Sequence, residues 1–184
     1  ALMDVIDVKH TCFNVITKSG KAVETAGDID TLLLDKTGTI TIGNRKATKF
    51  YPVKGMDEHA FIEYCLLSSI SDETPEGKSI VELGRENGIR MRSLNTTGAK
   101  MIKFTAETKC SGVNLADGTE IRKGAFDAIR KITEEAGNVF PDETQEAVAS
   151  ISCNGGTPLV VCANKKVIGV IELQDIIKPG IQER

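Results

Sequence analysis

The residues with the clearest chemical potential lie in the stretch "LLLDKTGTIT" at positions 32–41, where Asp35 follows an apolar run and precedes a loop of lysine, threonine and glycine. Each neighbour of that acid suits a phosphate. Lys36 brings positive charge, Thr37 and Thr39 bring hydroxyls and backbone N–H donors, and Gly38 lets the chain approach an anion closely. A lone loop aspartate ordinarily caps a turn. A carboxylate at the C-terminal end of a buried strand, however, sits where open α/β sheets bind ligands, and there it can attack a phosphoryl group and carry it as an aspartyl phosphate.

The elements around this acid follow from periodicity. "IDTLLL" at 29–34 is a short continuous apolar run, which predicts a strand buried on both faces, as in a parallel sheet. "KATKFYPV" at 46–53 reads as a strand, and "DEHAFIEYCLLSSI" at 57–70 as a helix behind an acidic first turn. "SDETPEG" breaks the chain before a second helix over 78–86, stopped by Asn87-Gly88. Residues 100–123 read as an antiparallel meander with an Asp-Gly turn at 116–119. Helices over 126–135 and 143–152 follow, then a hairpin of "PLVVCA" and "KVIGVIEL" across Asn164-Lys165. "QDIIKPGIQER" at the end reads as the start of another helix. The two ends therefore read as one α/β part and the middle as an inserted α+β body. Turn and hinge residues near Gly43-Asn44 and over 173–178 divide the chain into 1–43, 44–173 and 174–184.

Bulk properties exclude several classes. The 184 residues are 40% hydrophobic and 27% charged, enough for a real core. A net charge of -3, without a cluster of Lys or Arg, argues against nucleic acid as a partner. The five cysteines (Cys12, Cys65, Cys110, Cys153, Cys162) form no CxxC pair and read as reduced, mostly buried thiols. His10 and His59 are isolated, which disfavours metal ligation. No apolar run approaches a membrane span and no signal-peptide pattern opens the chain, so this stretch is expected to be soluble. An initial Ala in place of Met suggests a piece of something longer.

The "DKTGTIT" run at 35–41 resembles the phosphorylation signature of the P-type ATPases. Haloacid-dehalogenase phosphatases usually place a second Asp two residues after the nucleophile, as general acid and base. Here Thr37 occupies that place, and a threonine cannot transfer protons at neutral pH as a carboxylate can. The phosphoenzyme is therefore expected to persist, as a pump requires. By the resemblance, Asp35 is the residue phosphorylated by ATP, Lys36 neutralises phosphate charge, and the Thr37 carbonyl joins Asp35 in holding Mg²⁺.

The inserted body has no Walker A loop, because Asp72 stands where the first glycine of a motif ending in "GKS" belongs; "EGKS" at 76–79 reads as a helix start. Instead "FTAETKCSGV" at 104–113 and "IRKGAFDAI" at 121–129 resemble the nucleotide-binding domain of the Kdp potassium-transporting branch of P-type ATPases, namely its ATP-binding B subunit. "DETPEGKSIV", "TPLVV" and "DIIKPG" extend the similarity over most of the chain from Phe13 onward. The resemblance implies an antiparallel sheet flanked by helices, α+β in class, inserted into an incomplete haloacid-dehalogenase-like phosphorylation domain. It also implies that Phe104 stacks on adenine, Ser111 and Lys123 contact the nucleotide, Gly124 permits close backbone approach, and Asp127 lies beside it.

By alternation alone Phe104 reads as a core aromatic, and Lys123 as a solvated charge; Ser111 and Asp127 need no ligand to explain them. Stacking and one lysine support binding near about -4 kcal/mol, a dissociation constant of about 1 mM. Phe126-Asp127 after "KGA", where many cation pumps carry Pro-Glu, points to the potassium branch. So does Thr74 before Pro75, where transition-metal pumps carry His.

The "TGDN" and "GDGxND" loops of the family do not occur before Arg184, so this stretch alone is not expected to pump. The parent is expected to act at the cytoplasmic face of a plasma membrane with other Kdp subunits, through membrane segments outside this chain. The alternatives are a transition-metal P-type ATPase and a stand-alone nucleotide-binding or regulatory module without catalysis.

Overall fold

A computed structural model describes residues 18–90 and 96–181. They fall into two units, 1–35 and 36–184. In the first, helix α1 (Gly20–Gly27) starts where the Ser19 hydroxyl accepts from the Ala22 N–H at 3.2 Å. Residues 29–34 form no strand, and Leu33 is 91% exposed. That expectation is corrected for a physical reason: a strand buried on both faces needs neighbours to bond its backbone and cover its side chains. Among the described residues none pairs with it. The expectations for 1–11, including His10, lie outside the described residues.

The second unit is built on one antiparallel sheet of six strands, in the order β1-β6-β5-β4-β3-β2. The strands are β1 (Thr41–Pro52), β2 (Lys100–Ile102), β3 (Cys110–Asn114), β4 (Glu120–Gly124), β5 (Thr157–Ala163) and β6 (Lys166–Ile177). Both hairpin turns are where the sequence puts them. Asn164 and Lys165 both take positive φ, at 48° and 63°, as a two-residue type I′ connection demands.

Helices α2 (Glu58–Leu67) and α3 (Pro75–Glu86) cover one face of the sheet, α4 (Phe126–Glu135) and α5 (Asp142–Cys153) the other. The period-2 alternation of β5 and β6 shows this directly. Val161 and Ile171 point into the core with Phe61, Leu66 and Ile80, whereas Val160, Cys162 and Val170 point to Ile129, Phe140 and Ile151. Continuous apolar strands such as "PLVVCA" are therefore central strands buried on both sides.

Local chemistry sets the helix starts. The Asp57 carboxylate accepts from the Ala60 N–H at 2.9 Å, and the Thr74 hydroxyl from the Gly77 N–H at 3.1 Å. Pro75 then takes the first position of α3, three residues earlier than the expected start at Lys78.

The chain end departs from expectation too. "QDII" continues β6 as far as Ile177, and no helix follows among the described residues. Pairing with β1 explains this, since Arg45 faces Asp175 and Thr41 faces Ile177. A register shift between Thr41 and Arg45 falls at the proposed Gly43-Asn44 boundary, and Gly43 has φ 89°.

Candidate nucleotide site and phosphorylation loop

Beside the strand-end cluster of β3, β4 and β5 lies a cavity of about 620 Å³. Phe104, Ser111, Lys123 and Gly124, four of the five residues read from sequence as nucleotide contacts, line it. Asp127 does not; it stands exposed in the first turn of α4, where a negative charge suits the positive end of the helix dipole.

Phe104 lies beyond the end of β2 and is 62% exposed, so it is no core aromatic. Such a ring stands available for stacking. Ser111 and Lys123 are cross-strand partners on β3 and β4. Gly124 is bare by necessity: a Cβ there would lie 2.4 Å from the Lys109 carbonyl oxygen. Lys109 itself, with φ 47°, also lines the cavity; no sequence spacing singles it out.

The largest difference from the sequence reading concerns Lys123. Rather than a solvated charge, it is a buried one, 3% exposed. Its ammonium donates to the Asp72 carboxylate at 2.7 Å and to the Ser69 hydroxyl at 2.8 Å. Burial pushes the Lys123 pKa down, against the raising effect of Asp72. Burial likewise works to raise Asp72, but hydrogen bonds from Lys123 and Thr74 outweigh it and hold that carboxyl below the usual range. Asp72 and Ser69 lie 51 and 54 residues from Lys123, so the "SDETPEG" stretch reads in sequence only as a helix break.

At the other candidate site, Asp35 is exposed at the end of the first unit. In the second, Thr37 (φ -78°, ψ 118°) and Gly38 (φ 81°, ψ -16°) take the central positions of a type II turn. Gly38 supplies the positive φ that this turn requires. The Thr41 hydroxyl braces the turn, donating to the Lys36 carbonyl at 3.2 Å and accepting from the Gly38 N–H at 3.3 Å. Lys178 donates to the Gly38 carbonyl. Lys36 is not free: its ammonium lies 2.8 Å from Asp175, which also meets Arg45 at 3.5 Å. The Lys36 hydrogen bond, with charge from Lys36 and Arg45, holds the Asp175 carboxyl below the usual range.

No protein-family model matches the chain. Curated proteins do. The chain is 51% identical over 174 residues, 95% of its length, to the potassium-transporting ATPase ATP-binding subunit of Clostridium acetobutylicum. It is 53% identical, over the same share, to the subunit of that name from Caldanaerobacter subterraneus. It spans only about a quarter of these relatives, 25% and 26% of their lengths.

Among solved structures, a zinc-transporting PIB-type ATPase matches 79% of the chain with a TM-score of 0.61 at 20% identity, through 21% of its own chain. The catalytic domain of the CPx-ATPase CopB-B, from a study of nucleotide binding, matches 91% with a TM-score of 0.57 at 19% identity, through 52% of its own. These identities speak for the fold, an antiparallel sheet flanked by helices. The identity over nearly the whole chain speaks for descent: the chain belongs to the P-type ATPases, as a segment of the family of potassium-transporting ATPase ATP-binding subunits.

Proposed function

We propose that this chain is the ATP-binding and phosphorylation-site portion of a subunit that couples ATP hydrolysis, through an aspartyl phosphate on Asp35, to potassium import. The observation that carries the reading is the convergence of an exposed Phe104 ring, Ser111, the Lys123 ammonium and bare Gly124 backbone on one cavity. An aromatic face for a base and a fixed cation nearby are what a nucleotide needs. Asp127, outside the lining, is a weaker candidate, acting from the adjoining helix start.

In the proposed reaction an Asp35 carboxylate oxygen attacks the γ-phosphorus, the bond to the β-γ bridging oxygen breaks, and ADP leaves with that electron pair. Thr37 offers no carboxylate to activate water, so the acyl phosphate lasts. Lys36 would turn from Asp175 to the phosphate oxygens, a short movement for a side chain 57% exposed. The Asp35 carboxylate and the Thr37 carbonyl are hard oxygen donors that fit Mg²⁺. Two protein oxygens leave the rest of an octahedral Mg²⁺ shell to phosphate and water. Bound there, Mg²⁺ would neutralise charge on the transferred phosphoryl group.

Residues 44–173 would act as the nucleotide domain, and 1–43 with 174–184 as parts of the phosphorylation domain, hinged at the β1–β6 register shift. Among the described residues no helix is long and apolar enough to cross a membrane. The whole protein is proposed to work at the cytoplasmic membrane face with other Kdp subunits. Thr74 before Pro75 continues to favour potassium over a transition metal.

The test is a ¹⁵N-amide NMR titration with ATP, with and without Mg²⁺. Shifts at 104–113 and 121–125 near millimolar ATP are expected. Shifts confined to 36–39 would overturn the cavity assignment and favour a free-standing phosphate-binding module.

A further inference from the structure

The cavity contains a charge pair of which one member, Asp72, has no role in the reading so far. Lys123 and Asp72 both line it, with side chains 4% and 19% exposed. A lysine so buried would ordinarily lose its proton, and a neutral amine would have little to offer a nucleotide phosphate or ring nitrogen. Three N–H bonds radiate from an ammonium. Asp72 takes one and Ser69 another.

Ser69 can accept because its own proton goes to the Cys65 carbonyl at 2.8 Å. Asp72 is held as firmly. Its second oxygen accepts from the Thr74 hydroxyl at 2.6 Å and the Thr74 N–H at 3.1 Å. Thr74 in turn caps α3. Behind the carboxylate stands Gly77, where a Cβ would fall 2.4 Å from the Asp72 Cγ. The loop between α2 and α3 is thus shaped around this carboxylate.

We propose that Asp72 is a positioning residue for the nucleotide site: it holds the buried Lys123 charged and turns the third N–H of its ammonium toward the ligand. This rests on the reading that Lys123 contacts nucleotide. The other titratable groups facing Lys123 are the Cys65 thiol from α2 and Glu76 from α3, while Arg45 and Lys109 line the same cavity. Of the acidic groups among the described residues, Asp72 alone bonds the ammonium directly.

Removing Asp72 therefore lowers the pH at which Lys123 loses its proton, and the binding deficit must grow as pH rises. ATP affinity is measured between about pH 6.5 and 9.5 for the chain and for Asp72→Asn, each compared at equal pH so that titration of ATP itself cancels. Lys123→Met sets the floor. Expected is a deficit that is small at the acid end, grows by up to roughly tenfold per pH unit above the lowered pKa, and levels at the Lys123→Met value. Asp72→Glu, which keeps the charge, should restore most of the flat profile. A deficit constant across pH, or none, would overturn the proposal, because a structural role alone does not titrate.

If Lys123→Met binds ATP as well as the parent, the nucleotide reading of Lys123 fails. The ¹³Cε shift of Lys123 then decides the role of Asp72: a lower titration midpoint in Asp72→Asn supports it, and an unchanged midpoint refutes it. Should Asp72→Asn not fold, Thr74→Val, which frees one Asp72 oxygen, must give a smaller deficit of the same pH dependence; a flat one refutes the proposal.

Discussion

Truncating Phe104 to alanine separates its two readings cleanly. A core phenylalanine cut to alanine costs about 3–5 kcal/mol of stability. Phe104 is 62% exposed, so its removal should alter stability by no more than about 0.5 kcal/mol. Its loss to a bound base is a different quantity. Base–aromatic stacking is worth about 1–3 kcal/mol by alanine substitution, and the middle of that range is roughly a thirtyfold loss of affinity. With a starting constant of about 1 mM, Phe104→Ala should not approach saturation at attainable ATP.

Urea unfolding and the ATP titration, followed at Ser111 and Lys123, measure both quantities on one sample. The variant should unfold at the parent midpoint and barely shift with ATP. Unchanged affinity at unchanged stability would refute the stacking role. A large fall in the urea midpoint would show that the ring is structural.

Gly169→Ala should do the reverse, since its Cβ would meet the Phe61 ring at 2.5 Å and the Tyr51 carbonyl at 2.6 Å. Overpacking of this kind costs about 1–3 kcal/mol, read as a lower urea midpoint at constant slope; parent-like stability would contradict the packing described. Among the described cysteines, exposed Cys153 should react first with iodoacetamide, while Cys65, Cys110 and Cys162 stay protected until unfolding. Burial raises the Cys162 thiol to about 11 and lifts Cys65 further, and peptide mass spectrometry reads the order. Acid should weaken the fold through Asp72. Its carboxyl is held low in the folded state, so its stabilisation is present above the unfolded pKa and disappears as pH falls through the folded one. Urea midpoints below about pH 4 should therefore drop for the parent and less steeply for Asp72→Asn.

Much was legible in the sequence because it is governed by nearest neighbours. The helix behind the acidic turn at 57–58, the Asp-Gly turn and the hairpin across Asn164-Lys165 depend on residues a few positions apart. The run "DKTGT" is likewise a local pattern, and its Thr37-Gly38 turn follows from the glycine. What the sequence could not determine is where charge ends up. Lys123 looks like any strand lysine until α2 and α3 fold over the sheet and set Ser69 and Asp72 against it, more than fifty residues away in the chain.

The same physics decided against the strand at 29–34. An apolar run states only that burial is favourable, and burial needs partners that the tertiary structure must provide. Phe104 is the converse case, an aromatic whose alternation suggests a core and whose position past β2 leaves it open. Local bonding rules are carried by the residues themselves; burial and ion pairing are properties of the neighbours that folding brings together.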